Sequence, residues 1–347
     1  MASVQTQLES FHRKIQLDNL DENTTLREKR DLLLRKLREG LAKKFAGQQV
    51  PTFEHRNQGS YRIGTGIRPT NGRDYDIDVA LLFNIDPEEI GPVEIKRWVH
   101  EILDTHPHTA VIKRPCVTVQ YTKAGEDAYH VDFAIYTAAT MGRAIPLLAK
   151  GFVGSEPENK VWQPSDFQGL IDALEGRFSD ADDRLQFRRI VRYMKRWKDT
   201  RFSASGEAAP KGVGLTCAAY RWFRPTYTRD PLSLKRRDDD LTAMKDLVSV
   251  MLANFVGSGE NVRLCTPLPT EPWDDPFERM SDKQMLAFKK KLEDLHAALV
   301  AAAGRVDPVE ACRDLKPFLG DDFEIPDRNA TAAATVGPAL VSTGHYA

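Results

Sequence analysis

The sequence predicts an α+β fold, a mixed β-sheet lobe followed by a helical lobe, and three observations carry that prediction. Leu26, Leu33, Leu37, Leu41 and Phe45 recur at helical spacing near the start. YDIDVALLF (75–83), VTVQY (117–121) and AYHVDFAIY (128–136) then read as strands rich in β-branched and aromatic residues. Helical periodicity returns in FQGLIDALEGRF, DDRLQFRRIVRYMKRWKDTRF, GLTCAAYRWF, LTAMKDLVSVMLANF and KQMLAFKKKLEDLHAALVAAAG.

Each element has its local reason. Thr25 with Glu28 forms a capping-box signature ahead of the first amphipathic helix, and Gly47 and Pro51 end it. The glycine-punctuated FEHRNQGSYRIGTGI and the turn-rich PTNGR lead into the first long strand. PVEIKRWVHEILDTH reads as a helix with Pro92 near its start. VTVQY and AYHVDFAIY, joined by a KAGED turn, read as an antiparallel hairpin. SASGEAAPKG and RDPLSLKRRDDD read as solvated surface loops, and no repeat of a solenoid is evident. The expected division is a catalytic lobe with the long helix over 1–150, a helical lobe over 151–326 and a flexible tail over 327–347, poor in large side chains.

Composition narrows the class. The 347 residues are 41% hydrophobic and 29% charged, enough for a real core and two lobes. No apolar run approaches the roughly 20 residues of a membrane helix, and MASVQTQLESFHRK lacks a signal peptide's apolar centre, so a cytoplasmic protein without membrane contact is expected. Four cysteines without a C-x-x-C pair read as reduced, packed thiols. Lys plus Arg (49) balances Asp plus Glu (50), which argues against coating duplex nucleic acid by bulk charge.

The strand YDIDVALLF opens on carboxylates, although Asp is depleted in strands. Side chains alternate along a strand, so Asp76 and Asp78 share a face and can grip one cation or a close pair; Asp74 has the same parity. Asp132 is a lone acid in the apolar strand YHVDFAIY, on the face it shares with His130. Carboxylates from two paired strands suit Mg²⁺, with Mn²⁺ as a substitute, which keeps its other positions for water and phosphates. Two such ions, about 3.5–4 Å apart, align a hydroxyl for in-line attack on a triphosphate. Gly59 and Ser60, sixteen residues before Asp76, offer close backbone approach and a hydroxyl to phosphate oxygens.

The ordered set G-S, D-x-D and distant D resembles the nucleotidyltransferase superfamily that includes polymerase beta. QGSYRIGTGI (58–67), RDYDIDVALLF (73–83), YHVDFAIY (129–136), RIVRYMKRWKD (189–199) and GLTCAAYRWF (214–223) narrow the resemblance to the cGAS/DncV-like nucleotidyltransferases, bacterial relatives of cyclic GMP-AMP synthase, over roughly residues 20–320. The first three segments are shared across the superfamily, and the two helical ones are specific to this family.

The resemblance implies a polymerase-beta-like enzyme with nucleotides bound between the lobes. Asp76, Asp78 and Asp132 would be its catalytic and metal-binding acids, and Gln58, Gly59 and Ser60 part of its nucleotide site. Lys195 matches a lysine that contacts triphosphate, with Lys198 one turn away as competitor, and Thr216 stands where the family usually has a serine at a helix start. Cys217 occupies the position of a base-stacking aromatic residue; Tyr220 is the available substitute, although a tyrosine on an apolar helix is more often core. The implied products are cyclic di- or trinucleotides that reach a downstream effector in antiviral signalling. The tail ending in Ala347 resembles relatives conjugated by E1/E2-like enzymes. The sequence carries no zinc-binding insertion, so direct DNA binding is not expected. A nucleotidyltransferase acting on an RNA or protein acceptor would share the acids but calls for an acceptor-binding module, and a non-enzymatic sensor would not need all three.

Overall fold

The computed structural model describes residues 3–17, 20–70, 74–121, 129–137, 144–203 and 209–327, with the side chains of 20–23 and 25 outside the description. Two helices begin the chain. α1 (Gln5–Ile15) buries Leu8, Phe11 and Ile15, spaced so that they fall on one side, and was not foreseen. α2 (Leu20–Lys44) is the expected long helix, with Leu26, Leu33, Leu34, Leu37 and Leu41 buried. It starts five residues before Thr25, so that threonine lies inside the helix rather than capping it; no Gly or Pro in 20–24 interrupts the turn. Gly47 leaves the helix with φ 81°, a conformation glycine adopts without penalty.

β1 (Phe53–Asn57), α3 (Gly59–Ile63) and β2 (Tyr75–Phe83) follow, then α4 (Pro92–Leu103), with proline in its first turn. β3 (His108–Ile112), β4 (Val117–Tyr121) and β5 (Tyr129–Thr137) complete the centre of the sheet. The β4–β5 pair is antiparallel as expected; the KAGED turn lies outside the described residues. Strand order is β1-β2-β5-β4-β3, with β6 (Leu147–Lys150) beside β5 and β7 (Val161–Pro164) beside β6. β2 and β5 run parallel and the other pairs antiparallel, which makes the sheet mixed. β7 joins this sheet although it lies beyond residue 150.

The helical part comprises α5 (Phe167–Glu175), α6 (Ala181–Arg201), α7 (Gly212–Trp222), α8 (Asp240–Ala253), α9 (Asp282–Gly304) and α10 (Pro308–Leu319), the last unforeseen. RDPLSLKRRDDD is not merely solvated connection. It supplies part of a hairpin, β8 (Tyr227–Arg229) with β9 (Arg236–Asp238), and α6 holds its end: Arg189 bonds Asp238 (2.5 Å) and the fully buried Asp240 (2.7 Å). A second small ribbon pairs β10 (Val256–Ser258) with β11 (Asn261–Arg263). The tail from residue 328, with Ala347, lies outside the described residues.

Two apolar cores result, and β2 and β5 divide them by parity. Ile77, Val79, Leu81 and Phe83 of β2, with Val131, Phe133 and Ile135 of β5, pack in one core with α2 and α4. Ala80, Ala134 and Tyr136 belong to the other, with α1 and the helical lobe. A two-residue period therefore seals one face of the sheet and turns the other toward the helices.

Candidate active site

The acids sit where that second face opens. The parallel register pairs Asp76 with His130 and Asp78 with Asp132, so four polar side chains occupy adjacent places on two central strands. One donor atom from each of Asp76, His130 and Asp132 falls within 4.8 Å of the others. His130 Nε2 lies 3.2 Å from Asp76 Oδ1, and its Nδ1 lies 3.9 Å from Asp74, just before the strand. Thr118 of β4, directly opposite Asp132, donates its hydroxyl to Asp132 Oδ1 at 2.5 Å. Asp78 lies deeper. Burial, and then the charges of Asp76 and Asp132, push its carboxyl up to about 7.

The Gly-Ser turn is fitted to these acids. Gly59 has φ 61°, and a methyl group there would stand 1.9 Å from Asp78 Oδ2, so any larger residue would drive the carboxylate aside. The preceding Gln58 N–H donates to the Asp78 carbonyl (3.0 Å), while its side-chain oxygen accepts from Tyr136 Oη (3.3 Å). The Ser60 carbonyl accepts from Thr65 N (2.9 Å), closing the loop behind α3.

The helical lobe grips that loop. From α6, Lys195 Nζ donates to Thr65 O (3.0 Å) and Oγ1 (3.2 Å), Arg192 Nε to Gly66 O (3.1 Å) and Arg196 Nη2 to Arg68 O (2.9 Å). Lys195 is almost fully enclosed, and burial, with Lys198 and Arg192 nearby, pulls its ammonium down to about 7. Lys198 pairs with Asp199 at 3.1 Å. Asp76, Asp78 and His130, the Gly59–Ser60 turn, Thr65, Gly66, Lys195 and Lys198 border a cleft of about 740 Å³ that also takes Lys113, Gln120, Asp166, Thr270 and Glu271 into its wall. Of the candidate catalytic and nucleotide-binding residues, Gln58, Gly59, Ser60, Asp76, Asp78, Lys195 and Thr216 line it, and Asp132 approaches it through Asp76 and His130.

One detail corrects the sequence reading, and two others decide between its alternatives. Thr216 lines the cleft, but α7 begins at Gly212, so the hydroxyl sits a turn inside the helix and donates back to Gly212 O (3.0 Å). Cys217 is fully buried and cannot stack a base. Tyr220 does not border the cleft; it packs against the helical core, with its ring and carbonyl facing Arg177 just past α5. Conversely, His130 was not singled out, though its parity with Asp132 was the available signal. Thr270 and Glu271 carried none, since a long-range bond from Asp166 N to Glu271 O (3.0 Å) brings their loop in.

An arrangement of carboxylates on two strands, a glycine turn and lysines from a second lobe can hold a cation and a polyphosphate together. Residues 53–136 match the family described as cyclic GMP-AMP synthase DncV-like, nucleotidyltransferase domain. A probable cyclic AMP-AMP-GMP nucleotide synthase from Salmonella paratyphi B is 22% identical over 339 residues, covering 84% of this chain and 87% of that protein. GTP-bound DncV of Vibrio cholerae superposes with a TM-score of 0.69 at 18% identity, over 93% of this chain and 96% of the other. The DncV complex with the linear intermediate 5' pppA(3',5')pG gives 0.66 at 17% identity, covering 92% and 94%. With residues 53–136 matching that nucleotidyltransferase domain and the α+β fold of DncV shared over most of its length, the chain is similar to the DncV-like nucleotidyltransferases.

Proposed function

We propose that this enzyme joins nucleoside triphosphates into a cyclic di- or trinucleotide, releasing pyrophosphate, in a divalent-cation-dependent reaction. The observation that carries this reading is the cross-strand placement of Asp76, Asp78 and Asp132 beside the Gly59–Ser60 turn. The names of the similar proteins, a cyclic AMP-AMP-GMP synthase and the cyclic AMP-GMP synthase DncV, support the cyclic product.

The donor set fits a divalent ion: two carboxylates and an imidazole within 4.8 Å, with Asp78 alongside. Mg²⁺, or Mn²⁺ in its place, would supply charge neutralisation on the phosphates and a more acidic attacking hydroxyl. Asp76, Asp78 and Asp132 would hold it, and Thr118 keeps Asp132 oriented by occupying one of its oxygens. Gly59 and Ser60 would accept a triphosphate at close range, and Gln58 fixes their turn. Lys195 and Lys198 would bring positive charge from the helical lobe, so that phosphate binding draws the lobes onto one ligand. Thr216 adds a hydroxyl to the same wall. Ring closure would follow when the linear product turns and presents its second hydroxyl to the same acids. We place this product in bacterial antiviral signalling through a downstream effector, in the cytoplasm. No described helix is long and apolar enough to cross a membrane. Conjugation at Ala347 by an E1/E2-like enzyme belongs with that signalling proposal.

The test is incubation with ATP, GTP, CTP and UTP plus Mg²⁺, followed by phosphatase treatment and mass spectrometry. A resistant product of cyclic di- or trinucleotide mass, reduced at least ~10³-fold in Asp76→Asn and Asp78→Asn, is expected, equivalent to about 4 kcal/mol of transition-state stabilisation. Extension of added RNA without a cyclic product would overturn the reading in favour of a macromolecular acceptor.

A further inference from the structure

We infer that His130 is itself a ligand of the cation site, adding an imidazole nitrogen to the acids Asp76, Asp78 and Asp132, so that this chain favours first-row transition ions over Mg²⁺. The inference rests on the proposed reading that the acids bind the reaction's cation, and it adds a nitrogen donor that carboxylate chemistry does not require.

Register places His130 there. It stands opposite Asp76 across the parallel β2–β5 pair and two residues before Asp132, so the three side chains leave the same face of the sheet. Each offers one donor atom within 4.8 Å of the other two, and His130 Nε2 is already 3.2 Å from Asp76 Oδ1. Ligand atoms about 2.0–2.2 Å from a common ion lie roughly 3–4.4 Å apart, so only small side-chain adjustments separate this grouping from coordination.

The neighbours reinforce it. Asp78, the other acid of the D-x-D pair, stands beside Asp132 in the strand register, with the Gly59 backbone against its carboxylate. Thr118 donates to one oxygen of Asp132 and fixes the carboxylate's orientation, the part an outer-sphere partner plays. The imidazole is half-buried between Asp74 and Asp76, with either ring nitrogen close to an acid. A simple ion-pair role would make His130 compete with a cation for Asp76. A ligand role makes it add to the cation's affinity, and these two roles have opposite consequences.

Donor type sets the selectivity. Mg²⁺ is hard and takes oxygen, whereas imidazole raises the affinity of transition ions in the order Mn²⁺ < Fe²⁺ < Co²⁺. Replacing the nitrogen by an amide should therefore weaken Mn²⁺ and Co²⁺ while leaving Mg²⁺ little changed.

The experiment uses the full chain, freed of metal and without nucleotide. Mn²⁺ is titrated while the free ion is followed by electron paramagnetic resonance, then displaced by Mg²⁺, for wild type, His130→Gln, His130→Asn and Asp132→Asn, each checked for an intact thermal melt. The expected result is an approximately tenfold or larger loss of Mn²⁺ affinity in both His130 variants, with the Mn²⁺:Mg²⁺ preference falling in parallel. Unchanged or tighter Mn²⁺ binding in the His130 variants, with binding abolished in Asp132→Asn, overturns the ligand role and leaves the acid site standing. Mn²⁺ binding indifferent to all the substitutions overturns both this inference and the reading of the acids on which it rests.

Discussion

The two faces of β2 and β5 are made by the same nine-residue strands yet obey different rules. One face is apolar throughout, from Ile77 to Phe83 and from Val131 to Ile135, and packs on α2 and α4. The other begins with Asp76, Asp78, His130 and Asp132 and continues with Ala80, Ala134 and Tyr136, facing the helical lobe. The first face stores the free energy of burial, and the second uses that rigid support to hold like charges together. Burying an acid and grouping it with others is unfavourable without a cation, as the carboxyl of Asp78, raised by burial first and by Asp76 and Asp132 after it, records. A site of this kind can exist only where its scaffold is over-determined on the opposite side.

Substitutions on the two faces should separate stability from chemistry. The largest effect is expected from Phe133→Ala, which truncates a fully buried ring on the apolar face: a loss of about 3–5 kcal/mol in urea unfolding. A loss below about 1 kcal/mol would break the comparison by showing that this face does not carry the stability. Next comes Gly59→Ala on the polar face. The added methyl meets Asp78, so turnover should fall about 10²-fold, as for a misplacement near 1 Å, with a smaller loss of stability from the positive φ. Undiminished activity with a normal melt would show that the close approach is dispensable.

The last effect has the opposite sign. Asp78 titrates at 3.8 in the unfolded reference and at about 7 in the fold. Between those values the folded protein holds a proton that the unfolded chain has released, so metal-free stability falls as pH rises through that window. Asp78→Asn cannot lose that proton. Its stability relative to wild type, measured in EDTA by urea unfolding from pH 4 to 8, should rise toward high pH even as its activity is lost. A difference that does not vary with pH would mean that the acid face carries no strain.

How far the sequence could be read follows the range of the interactions. The strand 75–83 and the helices α4, α6, α8 and α9 were legible because their periods and end signals are local. α1 was missed: eleven residues with a low apolar content become a helix by laying Leu8, Phe11 and Ile15 against the helical lobe, with Tyr193 Oη of α6 bonding Leu8 O at 2.9 Å. α10 was missed for a similar reason, since Pro317 and several charges obscure a stripe that only its contact with α6 and α9 explains. The capping box at Thr25 misled because a local motif is permitted, not required, to start a helix.

In the site, parity alone put Asp76 and Asp78 on one face, and Asp132 with His130 on one face of another strand. That is a covalent fact of extended backbone, and the sequence by itself determined it. Which strands became neighbours, and that they run parallel with Asp76 opposite His130, was decided by the tertiary structure, through two cores that a one-residue slip would invert. The same holds for Lys195 reaching Thr65, 130 positions away, and for the loop at Glu271 joining the wall: each depends on closing a long stretch of chain, which only collective burial in the helical lobe can offset.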